Sequence, residues 1–247
     1  MVYIKSEKEI DLMREPCKIV KETLEFVGSK ICAGMSTKEV DELVERYIRA
    51  AGAYPSCLGY GGFPASACVS VNEEVVHGIP GDRLIKEGDI VSVDLCAYKN
   101  GFHGDACRTF AIGNVTEEKA QLVKVTEECF FKGIDGVRAG TPLYDIGYRV
   151  QKHAESHGYG VVRAYTGHAI GKEMHEDPSV PNYGRLGTGM RLRAGMVLCV
   201  EPMITLGSWR VKTLADGWTA VTQDGKSAAH YENTLVVRED GVEILTL

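Results

Sequence analysis

The sequence predicts an α+β fold in which helices cover one face of an antiparallel sheet and the other face carries a functional site. Helix-forming segments are followed by strand-forming segments, and this order occurs twice along the chain. An Asn100–Gly101 pair between two strand-forming segments is typical of a tight β-hairpin. Acidic residues also stand within or beside these apolar strand segments, where carboxylates are unusual.

The first half opens with two predicted helices. Ser6 and the glutamate three residues later form a capping-box pattern, and apolar residues recur at helical spacing as far as Val27. This predicts a long helix in which Pro16 can introduce a kink. A second capping box at Ser36 opens the next helix, and strand-forming segments then dominate through Ile112.

The second half repeats the order. Thr116 begins a third predicted helix, which continues through Ile134. Thr141 and Pro142 are predicted to supply the N-cap and the first-turn proline of a fourth helix. Strand-forming segments return after Gly158, and no low-complexity linker divides the halves.

Two pairs of similar segments indicate that the chain is internally duplicated. Gly88–Asp94 and Gly195–Glu201 share a glycine, five mostly apolar residues and a carboxylate. A second pair of similar segments, before the second and fourth predicted helices, lies at nearly the same offset. We therefore expect a single catalytic domain, residues 1–247, with two similar halves at roughly 1–113 and 114–247.

The predicted hairpin contributes two acids. If Asn100 and Gly101 form the loop, Cys96 faces Asp105, so Asp94 and Asp105 project from one face as diagonal neighbours. Their carboxylates can then reach a pair of cations spaced about 3.5 to 4 Å apart. Two acids near a turn are also common on a solvated sheet edge, so this interpretation needs further ligands.

Two glutamates and three histidines are the further candidates. Glu201 stands in an apolar run, where an ionised side chain is costly unless it is paired or bound to a cation. Glu232 precedes another apolar strand segment and can pair with the segment of Glu201 as a second hairpin. Imidazoles that can ligate metal or move protons are available at His77, His168 and His175.

Composition narrows the class of protein. A chain of 247 residues that is 44% hydrophobic can form an ample core. The net charge of −6, without a long basic run, indicates no nucleic-acid footprint. The eight scattered cysteines contain no C-x-x-C pair, which favours reduced thiols over disulfides or a zinc site. The sequence shows neither a signal peptide nor an apolar run near the ~20 residues of a membrane helix, so we expect a cytoplasmic protein.

His153 and His157 are expected on the surface of the fourth helix.

The candidate ligands resemble those of one family, the type I methionine aminopeptidases. Five residues match the metal ligands of that family in order and spacing: Asp94, Asp105, His168, Glu201 and Glu232. Four segments also fall where the family has them: Val76–Pro80, Gly101–Asp105, Val200–Met203 and Asp216–Thr219. The resemblance covers nearly the whole chain and implies the pita-bread fold, which has two pseudo-symmetric halves.

The resemblance implies two divalent metal ions. Asp94 would bind one ion, and His168 and Glu201 the other. Asp105 and Glu232 would bridge them. Carboxylate and imidazole ligands suit manganese, iron, cobalt or zinc and do not select among these. Such ions activate water and polarise the scissile carbonyl, and Glu201 is implied as the proton shuttle.

The resemblance also implies the substrate. The family removes N-terminal methionine from nascent proteins and peptides, with a preference for a small second residue. His77 and His175 would contact the peptide and stabilise the intermediate. Five positions match the pocket for the thioether side chain, although composition alone would favour ordinary core residues: Cys57, Tyr60, Phe63, Cys68 and Trp218. The implied partners are nascent polypeptide N-termini, with transient ribosome proximity, and a monomer is expected.

Three residues depart from the usual pattern of the family. Asn233 stands in place of histidine, Ala169 in place of glycine and Cys96 in place of threonine. None removes an implied ligand, but each neighbours one. We expect any effect to be on metal affinity.

Two alternative functions remain, and a third is disfavoured. A prolidase or aminopeptidase P shares the fold and the ligands but usually carries an extra N-terminal domain. A binding module that reuses the fold typically lacks metal ligands, whereas all five are present here. A cysteine hydrolase would pair Cys57 or Cys68 with His77, but the sequence supplies nothing to lower a thiol pKa.

Overall fold

The structure, a computed structural model, describes residues 2–247. Within these residues it contains four α-helices: α1 (Glu7–Gly28), α2 (Thr37–Ala50), α3 (Glu117–Ile134) and α4 (Tyr144–Ser156). None of the helices in this range combines the length and the apolar character that crossing a bilayer requires.

Fifteen strands accompany the helices over the same residues. They are β1 (Tyr54–Pro55), β2 (Cys68–Val71), β3 (Glu74–Val76), β4 (Ile90–Lys99), β5 (Phe102–Ala111), β6 (Gly160–Val161), β7 (Gly167–Ala169), β8 (Glu176–Val180), β9 (Val197–Val200), β10 (Met203–Thr205), β11 (Val211–Thr213), β12 (Ala220–Thr222), β13 (Ala228–His230), β14 (Glu232–Val237) and β15 (Val242–Ile244).

The strands form one large antiparallel sheet and two small ones. The large sheet has the order β1-β4-β5-β14-β9-β7-β8, with β2 also paired to β4 and β15 to β14. The small sheets have the orders β13-β10-β6 and β11-β12-β3. The predicted α+β arrangement is confirmed. The β4–β5 pair and the β9–β14 pair meet in the large sheet, because β14 lies between β5 and β9.

Three of the four predicted helix starts are confirmed. The Ser6 hydroxyl caps α1 and the Ser36 hydroxyl caps α2, and each cap glutamate side chain accepts the backbone N–H of its serine, at 2.9 and 2.7 Å. Thr116 caps α3. Pro16 lies buried within α1, which continues through it.

The predicted start of the fourth helix is wrong. Helix α4 begins at Tyr144, and no side chain caps it at Leu143. The Thr141 hydroxyl instead accepts the N–H of Arg138 at 3.1 Å. The Thr141 carbonyl also accepts the N–H of Leu192 at 2.9 Å, so this segment pairs in an extended conformation instead of entering the helix.

The predicted hairpin is confirmed in its register. In β4 and β5, Lys99 pairs with Phe102 and Cys96 with Asp105. Asn100 and Gly101 have φ values of 56° and 84°, and a two-residue type I′ hairpin turn requires positive φ at both of its central residues. Helix α1 covers the hairpin so closely that a Cβ atom on Gly104 would lie 2.6 Å from the backbone nitrogen of Cys17.

The core lies between the helices and the large sheet. One cluster joins α1 and α2 to the sheet of the first half, with Val20, Val44 and Val93 fully buried. Another joins α3 and the start of α4 to the sheet of the second half, with Phe130 and Leu198 fully buried. This packing leaves the opposite face of the central strands to form the site.

Candidate active site

Four neighbouring strands bring the four predicted acids together. Asp94 pairs with Cys107 and Asp105 with Cys96, which makes the two acids diagonal neighbours in β4 and β5. Glu201 directly follows β9, and Glu232 begins β14, the strand between β5 and β9. Asp105, Glu201 and Glu232 are buried, and Asp94 is half-buried.

His168 faces these carboxylates from β7. Its Nε2 lies 3.6 Å from Oε1 of Glu201 and 4.0 Å from Oδ2 of Asp105. Its Nδ1 donates to the carbonyl of Ala169 at 3.0 Å, which leaves the Nε2 lone pair directed at the acids. Burial lowers the pKa of His168 to about 3, so the imidazole is neutral and able to ligate.

The electrostatics of the acids fit divalent cations. Burial raises the pKa of Asp94 to about 7. Burial, and then the negative charge of Asp94, raise the pKa of Asp105 and of Glu201 well above their usual values. Oδ1 of Asp105 and Oε1 of Glu232 are buried without a hydrogen-bond partner. Cations bound here would balance the charge and satisfy these oxygens.

One group of ligand atoms is already close enough to surround a single ion. Atoms of Asp105, His168, Cys199 and Glu232 lie within 4.8 Å of one another. Burial raises the pKa of Cys199 well above its usual value, and its sulfur lies 3.6 Å from the Thr234 hydroxyl. The carboxylates and the imidazole are therefore the better candidates for ligands.

Hydrogen bonds behind the acids fix their backbone. Asn182 Nδ2 donates to the Glu201 carbonyl at 2.8 Å. Arg108 donates to the Glu232 carbonyl at 2.6 Å and to Oδ1 of Asn233 at 2.7 Å. Oδ1 of Asn233 also accepts from the Thr246 hydroxyl at 2.9 Å. Asn233, where the family usually has histidine, therefore ties the strand of Glu232 to Arg108 and to the C-terminal segment.

Two histidines stand above the acids. His77 has φ 58°, an uncommon conformation for a residue other than glycine, and strained residues of this kind cluster at functional sites. Its ring meets those of Tyr165 and Trp218 edge-on, with centroids 5.2 and 6.3 Å away. His175 lines the same cavity, with its ring centroid 4.2 Å from that of His168 and Nδ1 2.7 Å from the hydroxyl of Tyr60.

The predicted pocket for the thioether contains sulfur and aromatic groups. Phe63 and Trp218 meet edge to face at 5.2 Å. Asp216 holds Trp218 by accepting its backbone N–H at 2.8 Å. A hydrogen bond with Cys57, together with burial, raises the pKa of Cys68 well above its usual value, which opposes a thiolate nucleophile.

All of the site residues predicted from the sequence line one cavity of about 320 Å³. The structure adds His230 and Tyr165, which the sequence analysis missed. His230 stands two residues before Glu232, the spacing that places side chains on one face of a strand, and this signal could have identified it. Tyr165 carried no comparable local signal.

The chain is similar to metallopeptidases of known families. The model of metallopeptidase family M24 matches residues 11–239. The chain is 55% identical to the methionine aminopeptidase of Clostridium acetobutylicum, with 100% of this chain and 99% of that protein covered. It is 48% identical to methionine aminopeptidase 1 of Bacillus subtilis, with the same coverage.

Solved structures of similar proteins have the same fold as this chain. The methionine aminopeptidase of Rickettsia prowazekii superposes with a TM-score of 0.98 at 42% identity, with 100% of both chains covered. A prolidase from Pyrococcus furiosus superposes with a TM-score of 0.80 at 22% identity, over 99% of this chain and 65% of that one, which shows a shared fold alone. The predicted pita-bread fold is confirmed. This chain belongs to metallopeptidase family M24, and within it to the methionine aminopeptidases.

Proposed function

We propose that the chain removes methionine from the N-termini of nascent proteins and peptides by hydrolysis of the first peptide bond. One observation carries the proposal: four buried or half-buried carboxylates and a neutral imidazole converge in a cavity whose walls are sulfur and aromatic groups. The first set suits metal-assisted hydrolysis. The second suits a long thioether side chain.

The centre would hold two divalent metal ions, of manganese, iron, cobalt or zinc. Asp94 would bind one ion, and His168 and Glu201 the other. Asp105 and Glu232 would bridge them. Bound cations supply the acidification of the attacking water and the polarisation of the scissile carbonyl.

Glu201 would transfer the proton during hydrolysis. Asn182 fixes its backbone carbonyl, and Oε1 lies 3.6 Å from Nε2 of His168, so the carboxylate lines the cavity beside another proposed ligand. It would receive a proton from the attacking water and deliver it to the departing amine.

His77 and His175 would bind the peptide above the cations. Burial lowers the pKa of His77, so the imidazole is neutral and its N–H can donate a hydrogen bond to the substrate carbonyl. His175 is exposed at the mouth of the cavity, and the Tyr60 hydroxyl orients it. Both histidines would stabilise the negative charge that develops on the carbonyl oxygen.

The methionine side chain would occupy the space among Cys57, Tyr60, Phe63, Cys68 and Trp218. This space is part of a cavity of about 320 Å³, and resemblance to the methionine aminopeptidases implies that the residue after methionine is small. We therefore propose a preference for a small second residue. Comparing Met-Gly and Met-Lys peptides tests this preference, and equal kcat/KM values would contradict it.

We also propose an oligomeric state and a cellular location for the chain. The chain would act as a monomer in the cytoplasm, where nascent N-termini emerge, with transient proximity to the ribosome. Sedimentation of the purified protein tests whether it is a monomer. Cosedimentation with translating ribosomes tests the proposed ribosome proximity. Its absence would contradict that proximity without affecting the peptidase proposal.

Peptide cleavage by metal-stripped protein tests the proposed reaction. The protein is supplied separately with manganese, iron, cobalt or zinc and given Met-Ala-Ser, Leu-Ala-Ser and Ala-Pro-Ser. We expect metal-dependent release of methionine alone. Cleavage of only the proline peptide would instead support a prolidase, and metal binding without any cleavage would support a binding module.

A further inference from the structure

His230 is a buried histidine beside the predicted ligands. It ends β13 and is only 2% exposed. Its Nε2 has no hydrogen-bond partner, although a buried polar nitrogen without one is costly. The ring lines the same cavity as the four carboxylates.

The backbone of His230 is held on two sides. Its N–H donates to the Thr109 hydroxyl at 3.0 Å, and that hydroxyl donates in return to the His230 carbonyl at 2.8 Å. On the other side, His230 pairs with Met203 of β10. The fold therefore fixes the backbone position from which the imidazole enters the cavity.

The imidazoles of His230 and His168 are placed almost symmetrically around Glu201. Nε2 of His230 lies 3.7 Å from Oε2 of Glu201 and 4.0 Å from Oε2 of Glu232. Nε2 of His168 lies 3.6 Å from Oε1 of Glu201 and 4.0 Å from Oδ2 of Asp105. Each imidazole thus faces one oxygen of Glu201 and one oxygen of a proposed bridging acid.

These separations suit ligands that share a cation. They exceed the length of an N–H···O hydrogen bond. Atoms that each lie about 2.0 to 2.2 Å from one cation are separated from each other by roughly 3 to 3.6 Å. Small side-chain movements would bring His230, Glu201 and Glu232 to that spacing.

We propose that His230 is an additional nitrogen ligand of the metal centre, bound through Nε2 to the cation between Glu201 and Glu232. This inference rests on the proposed metal centre and goes beyond its five ligands. The centre then has one imidazole on each side of Glu201. Imidazole suits cobalt and zinc better than it suits manganese, so an added imidazole ligand at His230 would favour cobalt or zinc.

Proton NMR of the cobalt(II)-loaded protein counts the bound imidazoles directly. Each imidazole bound through Nε2 gives one strongly shifted, solvent-exchangeable N–H resonance. We expect two in the wild-type protein, one in His230→Gln and one in His168→Gln. The control His103→Gln should keep two, because His103 lies outside the cavity lining and Nδ1 is 2.8 Å from the Ser56 hydroxyl.

Calorimetric titration gives a second readout that does not depend on turnover. His230→Gln should raise the dissociation constant for cobalt(II) at least tenfold and that for manganese(II) less, whereas His103→Gln should change neither. One shifted imidazole resonance in the cobalt-loaded wild-type protein would overturn the inference, even if His230→Gln failed to fold. Failure of the wild-type protein to bind cobalt would overturn the proposed centre itself, so the two failures are distinguishable.

Discussion

The cavity has two regions that the fold builds differently. The floor comprises Asp94, Asp105, His168, Glu201 and Glu232, and the rim comprises Tyr60, His77, His175 and Trp218. Floor residues lie in or next to paired strands of the large sheet. No rim residue lies within a strand: Tyr60 and Trp218 lie between strands, His77 directly follows β3 and His175 directly precedes β8. Hydrogen bonds that involve side chains hold several of them. The difference indicates that strand register places the proposed metal ligands, whereas turns and strand ends place the groups proposed to contact the substrate.

The largest expected effect is at the floor. Asp105→Asn removes a charge from the proposed bridge, and several kcal/mol of metal-dependent stabilisation should be lost. We expect kcat/KM for Met-Ala-Ser to fall about a thousandfold or more. Bound metal should fall in parallel when measured by elemental analysis.

The exposed carboxylate of Glu118 provides a control for this prediction. Glu118→Gln removes the same charge far from the cavity lining and should keep full activity and metal content. Wild-type activity in Asp105→Asn would show that the floor is not the catalytic centre.

Removal of either rim histidine should separate chemistry from metal binding. His77→Ala and His175→Ala each remove a proposed donor to the substrate carbonyl, which typically costs about 10²- to 10³-fold in rate. Metal content should stay at the wild-type level. Loss of metal from either variant would show that the histidine contributes to metal binding. An unchanged kcat/KM would show that the histidine has no role in the reaction.

The acids of the floor should oppose folding when no metal is bound. Burial raises the pKa of Asp94 to about 7, whereas an unfolded aspartate titrates near 3.9. The folded state therefore holds more protons between these values, and this residue lowers the free energy of unfolding as pH rises from about 4 to about 7. Metal-free Asp94→Asn should be more stable than wild type above pH 7, by roughly 2 to 4 kcal/mol.

Urea unfolding of both metal-free proteins at pH 5 and pH 8 measures this difference. The advantage of Asp94→Asn should be larger at pH 8. Cobalt(II) should reverse the ranking, because it binds the folded wild-type protein more tightly. An advantage that shrinks with rising pH would contradict the raised pKa of the half-buried Asp94.

The smallest effect is expected at Asp216, in the turn that carries Trp218. Asp216 accepts the N–H groups of Trp218 and Thr219 at 2.8 and 2.9 Å. Asp216→Ala removes both acceptors and should loosen Trp218, so KM for Met-Ala-Ser should rise a few-fold while kcat stays unchanged. Asp224→Ala removes a similar exposed turn acceptor away from the cavity and serves as the control. A fall in kcat without a change in KM would assign the turn to the chemistry.

The sequence predicted those features that depend on local patterns. The capping boxes at Ser6 and Ser36 and the Asn100–Gly101 loop were predicted correctly because their geometry is set within a few residues. The start of α4 was predicted incorrectly because Thr141 pairs with Leu192, a contact distant in the chain.

The rest of the site depends on contacts between distant residues. Tyr60 meets His175 and Arg108 meets Asn233 across more than a hundred residues, so no local pattern indicates either pair. The pocket residues were identified only by resemblance to the family. His230 was missed although it stands only two residues before Glu232, because the ligands were assigned by resemblance to the family and His230 is not one of the five matching residues.

Calorimetric titration of the metal-stripped wild-type protein with cobalt(II), alongside Asp105→Asn, tests the central claim most directly. The claim is that strand register builds a floor for two divalent cations. We expect two cobalt ions per wild-type chain and weaker binding of both in Asp105→Asn, because that carboxylate would bridge them. Binding of no cobalt by the wild type, or identical titrations of the two proteins, would contradict the claim.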